Sequence, residues 1–179
     1  MRIRSGTSFN RKESAMLQRF YPDHETDNAY DINYEELYRS GYRGIIFDID
    51  NTLVPHGAPA TPKAAALFQR LRSIGFRTVV LSNNKEPRVK SFSDAVGSLY
   101  ICKAGKPSRR GYARAMELMQ TDSGKTLFVG DQIFTDVWGA KKLGIKTFLV
   151  KPIHPKEEIQ IVLKRYLERI VLHFYHKKG

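Results

Sequence analysis

With 179 residues and 41% hydrophobic content, the chain is long enough for one domain with a full core and too short for two. Thirty basic against eighteen acidic residues leave a net charge of +12, which favours polyanions such as RNA, anionic lipid headgroups or phosphorylated substrates without choosing among them. The single cysteine, Cys102, excludes an internal disulfide and fits a reducing, cytoplasmic setting, and no run approaches the ~20 apolar residues that span a bilayer.

Residues 1–15 are basic and Ser-rich, lack the apolar core of a secretory signal, and read as a flexible extension ahead of a single domain over 16–179. From Tyr42 onward, short apolar runs alternate with segments of helical period. Gly44–Asp48, Thr78–Ser82, Leu99–Cys102, Thr126–Gly130 and Lys146–Val150 read as five strands. Thr61-Pro62 signals a helix start, with Leu67, Phe68, Leu71 and Ile74 on one face and a stop at Gly75. Another helix is expected from a Thr135 cap to Gly144, and a last one over about 156–176. Strands alternating with helices predict an α/β fold, a Rossmann-like three-layer sandwich around a parallel sheet of about five strands with right-handed crossovers.

Ligands of open parallel sheets bind beyond the carboxyl ends of the strands, and the polar clusters fall there. Asp48 and Asp50 follow the first strand and Ser82-Asn83-Asn84 the second; Lys106-Pro107 lies past the third, and Gly130-Asp131 with Asp136 past the fourth. In a continuing strand Asp48 and Asp50 would share a face and repel unless a cation lay between them. Acids converging from two strand ends call for a hard cation with oxygen ligands, and Mg²⁺ is the natural guess. A lysine, a serine hydroxyl and orphan amides supply the donors that phosphoryl transfer needs. Any one cluster alone would more often be a turn or a cap, and their combination in this order carries the inference. His56 reads as a solvated loop residue, Trp138 and Cys102 as packing, and the Arg109-Arg110 and Lys141-Lys142 pairs as solvated faces.

The motifs Asp48-Ile-Asp-Asn-Thr, Leu81-Ser82-Asn83, Lys106-Pro107 and Gly130-Asp131-Gln-Ile-Phe-Thr-Asp136 resemble, in order, those of the haloacid-dehalogenase phosphohydrolases, over a core of about 42–150. That resemblance implies Asp48 as the nucleophile forming an aspartyl-phosphate and Asp50 as the acid and base. It implies Ser82, Asn83 and Lys106 around the phosphoryl oxygens. Asp48, the Asp50 carbonyl and Asp131 would hold Mg²⁺, with Asp136 supporting the metal waters or orienting the lysine. Only Leu53–Ala60 separates the first motif from its helix, so the chain looks capless, with an open site suited to a bulky substrate. Met16-Leu-Gln-Arg-Phe-Tyr-Pro-Asp23, Tyr34-Glu-Glu-Leu37 and Lys106-Pro-Ser-Arg-Arg-Gly111 are similar to the YqeG-type branch, close to phosphatidylglycerophosphate phosphatases. On that likeness the chain would begin at Met16. An anionic phospholipid is then the implied substrate, met at the inner face of the membrane.

The last helix places Ile159, Val162, Leu163, Tyr166, Leu167, Ile170, Val171 and Phe174 on one face. Such a face packs on its own sheet or lies on an anionic membrane, and core packing is the expected outcome. Two rivals remain: a capless phosphatase acting on a phosphoprotein or a nucleic-acid end, and a basic RNA- or ribosome-associated binding protein. No RNA-recognition signature supports the second, so nucleic acid is not favoured as a partner. Nothing in the sequence fixes an oligomeric state.

Overall fold

The computed structural model describes residues 17–154 and the helix 159–176, with side chains in that helix from 167 to 175. The expected extension over 1–15 lies outside the described residues. Six strands form one all-parallel sheet: β1 (His24–Thr26), β2 (Gly44–Phe47), β3 (Arg77–Leu81), β4 (Leu99–Ile101), β5 (Thr126–Gly130) and β6 (Lys146–Val150). Their spatial order is β1-β6-β5-β2-β3-β4. The chain moves outward from β2 through β3 to β4, then returns to the other side of β2 for β5 and β6. The reversal falls between β2 and β5, so a crevice opens where their carboxyl ends diverge.

Five strands fall where the apolar runs put them, each within a residue or two. The sixth, β1, has a short polar sequence that carries no strand signal. It pairs with β6 because Asp23 anchors it: the Asp23 carboxylate accepts from Thr147 N and Thr147 Oγ1 at 2.8 Å each and from Lys141 Nζ at 2.8 Å.

Alternation along the strands divides the core into two layers. Ile45, Phe47, Val80, Leu127 and Val129 face α2 (Pro62–Ile74) and α3 (Glu86–Val96), burying Phe68, Leu71 and Phe92, with α1 (Tyr34–Arg39) beside them. Ile46, Val79, Leu81 and Phe128 face Tyr112, Ala115 and Met119 of α4 (Arg109–Met119) and Ala140 of α5 (Trp138–Lys141). Local signals set the ends of α2: Thr61 Oγ1 accepts from Ala64 N, Pro62 opens the first turn, and Gly75 closes the helix at φ 112°.

The helix expected from Thr135 forms differently. A π-helical turn, Ile133–Val137, comes first and runs directly into α5; Thr135 is inside the turn, not its cap. Lys141 and Lys142 are half-buried, not solvated. Lys141 holds Asp23, and Lys142 Nζ lies 3.5 Å from the centroid of the Trp138 ring while donating to Pro107 O at 3.0 Å.

The last helix, α6 (Ile159–His176), docks on the core as expected, with Val171 and Phe174 of the expected face packed there. Leu167 and Ile170 of that face are instead 48% and 44% exposed, while Glu168 is buried and Val171 packs with Ile133, Val137 and Leu149. The side chains of Ile159, Val162, Leu163 and Tyr166 lie outside the described residues. Beside α6, Tyr21 packs against Tyr175, and Phe20 packs against both Phe134 and Trp138, each pair at 5.3 Å between ring centroids.

Candidate active site

β2 ends at Phe47, so Asp48 sits just past the last strand residue, beside the crevice, with its amide bonded to Val129 O. Asn51 then takes a left-handed φ of 61° and turns the chain back, so Asp48 and Asp50 do not continue a strand. Each acid has its own cation.

Lys106 Nζ donates to Asp48 Oδ1 at 2.6 Å and to Asp136 Oδ1 at 2.7 Å, all three side chains being buried. Asp131, at the end of β5, completes a cluster: one carboxylate oxygen each from Asp48, Asp131 and Asp136 lie within 4.8 Å of one another. Thr52 Oγ1 donates to Asp131 Oδ1 at 3.3 Å. Gly130 makes room for the arrangement, since a Cβ there would stand 2.5 Å from Asp136 Oδ2.

Burial, with the Asp136 charge added, pushes the Asp48 carboxyl up to about 6 against the pull of Lys106. Burial alone would lower Lys106, but Asp136 and Asp48 more than reverse that and hold it above the usual lysine range. One lysine thus stands among three buried carboxylates, an all-oxygen donor set. That donor set fits a small, hard divalent cation, which Asp48, Asp131 and Asp136 would hold.

Asp50 stands apart from this cluster. Its carboxylate accepts from Arg88 Nη2 at 3.0 Å, Gly57 N at 2.8 Å and Asn84 Nδ2 at 2.5 Å. Ser82 is buried at the end of β3, its Oγ accepting from Asn84 N at 3.2 Å. The Asn83 side chain clasps the backbone of Lys106 instead, accepting from its amide at 2.7 Å and donating to its carbonyl at 3.2 Å. The Lys106–Pro107 peptide within this loop is cis. Tyr112 OH, reaching from α4, donates to Thr135 O at 2.6 Å and buttresses the turn that carries Asp136.

The structure thus brings Asp48, Lys106, Asp131 and Asp136 into one cluster and places Asp50, Ser82 and Asn83 around it. Arg88, Tyr112 and Glu168 were missed. Each reaches the site from a helix, at a distance in sequence that no motif or period encodes.

A haloacid dehalogenase-like hydrolase profile matches residues 55–144. The "Probable phosphatase YqeG" of Bacillus subtilis (strain 168) is 36% identical over 166 residues, 92% of this chain and 96% of that protein. The Arabidopsis thaliana "Phosphatidylglycerophosphate phosphatase 1, chloroplastic/mitochondrial" is 29% identical over 83% of this chain, a match spanning 46% of the plant protein. Among solved structures, a Vibrio cholerae protein named "putative 3-deoxy-D-manno-octulosonate 8-phosphate phosphatase" superposes with a TM-score of 0.53 at 14% identity. It covers 73% of this chain and 78% of its own and shares the fold. By the profile match, and by identity along nearly its whole length to a phosphatase, the chain belongs to the haloacid dehalogenase-like hydrolases, as a YqeG-type phosphatase.

Proposed function

We propose that this phosphatase removes the terminal phosphate of phosphatidylglycerophosphate with Mg²⁺, through a phosphorylated Asp48. The observation that carries the chemistry is the Asp48–Lys106–Asp136 bridge, buried at the crevice between β2 and β5. Asp48 Oδ attacks phosphorus in line with the ester oxygen; the P–O ester bond breaks as the Asp48–phosphoryl bond forms, and Asp50 gives its proton to the departing alcohol. Asp50 then takes a proton from water, whose oxygen attacks the aspartyl-phosphate, releasing inorganic phosphate and restoring Asp48. Lys106, Ser82 Oγ and the backbone amide of Asn83 neutralise the transferring oxygens. The Asn83 side chain holds the Lys106 loop at the distance this requires. A cation held by Asp48, Asp131 and Asp136, with the Asp50 carbonyl, would supply charge neutralisation on the phosphoryl group.

Three features support a lipid as the substrate. The first is the likeness to the plant phosphatidylglycerophosphate phosphatase. The second is an uncapped mouth: between β3 and α4 the chain builds only α3 and β4, and Leu53–Ala60 is a short loop. The third is a basic rim of exposed Lys85 and Lys103, on the loops beyond β3 and β4, and Arg109 and Arg110, at the start of α4. Among the described residues no helix is long and apolar enough to cross a membrane, and on this reading the enzyme works peripherally, at an anionic surface.

Purified protein is expected to release phosphate from phosphatidylglycerophosphate in mixed micelles, with turnover lost in EDTA and restored by Mg²⁺. Faster turnover of a sugar phosphate, a nucleotide, a phosphopeptide or a 5′-phosphorylated oligonucleotide would overturn the substrate assignment and leave the chemistry standing.

A further inference from the structure

We propose that Glu168 is a positioning residue of the active site, setting from α6 the backbone turn from which Asp131 and Asp136 reach the cation. The inference rests on reading the carboxylate cluster as a cation site. It does not depend on which phosphate ester is cleaved.

The chain leaves β5 at Gly130, passes Asp131 and Gln132, and winds at once into the π-helical turn Ile133–Val137. Helix starts expose amides with no partner inside the helix, and a side chain just ahead usually accepts from them. Here it does not: Gln132 makes no cap, and its Oε1 accepts from Thr135 Oγ1 at 3.1 Å instead. The acceptor comes from 35 residues away. Glu168 Oε1 takes the Ile133 amide at 2.7 Å and lies 3.5 Å from the Phe134 amide, with the residue only 4% exposed.

The next amide back along the turn belongs to the site. Gln132 N donates to Asp136 Oδ2 at 3.1 Å, while Asp136 Oδ1 receives Lys106. Two carboxylates therefore grip successive amides of one turn, Asp136 at 132 and Glu168 at 133 and 134. A shift of the turn moves Asp136 against Lys106 and Asp131 against Asp48 together. A carboxyl group is a costly way to fill a buried helix face. Facing two N–H donors at the positive start of a turn, it has a geometric task that an apolar side chain cannot perform.

The test uses the full chain with Glu168→Ala and Glu168→Gln, reading substrate-free Mn²⁺ binding by electron paramagnetic resonance and hydrogen exchange at the Ile133 and Phe134 amides. Partners behind metal ligands typically carry about 10- to 100-fold in metal affinity. Glu168→Ala is expected to weaken Mn²⁺ binding by about that much and to speed exchange at both amides. Glu168→Gln, which keeps an acceptor oxygen, is expected to stay within about threefold of the parent. Parental Mn²⁺ affinity in a folded Ala variant overturns the proposal, as does a folded Gln variant that binds as poorly as Ala. Should the Ala variant fail to fold, the Gln variant decides: retained affinity and amide protection support the role, and lost affinity with an unchanged melting temperature refutes it. A parent protein that binds Mn²⁺ yet cleaves no phosphatidylglycerophosphate defeats only the substrate assignment. One that binds no Mn²⁺ defeats the cation site, and this inference with it.

Discussion

Lys106 can neutralise only one of the two carboxylates it touches, and the remainder shows in Asp48, which is harder to ionise in the fold than in the open chain. A folded-state pKa of about 6 against an ordinary 3.8 means the native state binds this proton more tightly. In metal-free protein the Asp48 contribution to stability is therefore full below about pH 4 and falls as pH rises through 6, by about 3 kcal/mol at most. Asp48→Asn should abolish turnover and yet melt higher than the parent at pH 7.5 in EDTA, with the gap closing toward pH 4. Calorimetry across that range checks it, and Mg²⁺ should raise the parent's melting temperature more than the variant's. Arg88 is the corresponding partner of Asp50. Arg88→Ala should lower kcat about 10- to 100-fold with little change in KM, because a misplaced proton donor costs the chemical step rather than binding. Most site acids were legible because each follows a strand of unambiguous pattern. Arg88 was not: its partner lies 38 positions upstream, and only the folded crevice brings the two together.

Elements without a strong apolar period were the ones the sequence concealed. His24-Glu-Thr becomes a strand through Asp23, whose carboxylate burial would push up but whose bonds to Lys141 and Thr147 pull below its usual range. Its sign is opposite to that of Asp48: the stability it supplies is present above about pH 4 and lost as pH falls through the lowered pKa. Asp23→Asn should cost about 1–3 kcal/mol at neutral pH while leaving kcat unchanged, measured by urea unfolding beside a phosphatase assay. On the last helix Val171 and Phe174 pack as read, but Leu167 and Ile170 do not, because the period was taken from apolar residues alone. The buried side carries Glu168, so Leu167 and Ile170 end outside. At the end of β5 the steric margin is narrower still. Gly130→Ala would drive a methyl against the Asp136 carboxylate, and it should lose Mg²⁺-dependent turnover by at least about tenfold, more than its change in melting temperature would explain.

At the level of the whole molecule, the order of strands carries the function. Because the path reverses beside β2, Asp48 and Asp131 meet beyond the adjacent carboxyl ends of β2 and β5, and α3, α4 and α6 can each lend a side chain to the edge of the site. The charge of +12 acts at longer range. If the basic rim meets an anionic bilayer, turnover on vesicles rich in phosphatidylglycerol should fall steeply between low and physiological salt. Turnover of a small soluble ester should hardly change, since screening weakens steering to a surface more than contact inside a buried cleft. Trp138 is the sole tryptophan of the chain, and it lies two residues beyond Asp136, with Phe20 beside its indole and the Lys142 ammonium above it. The protein thus carries an intrinsic fluorophore at the flank of its own pocket, and emission excited near 295 nm offers a label-free titration of whatever enters there.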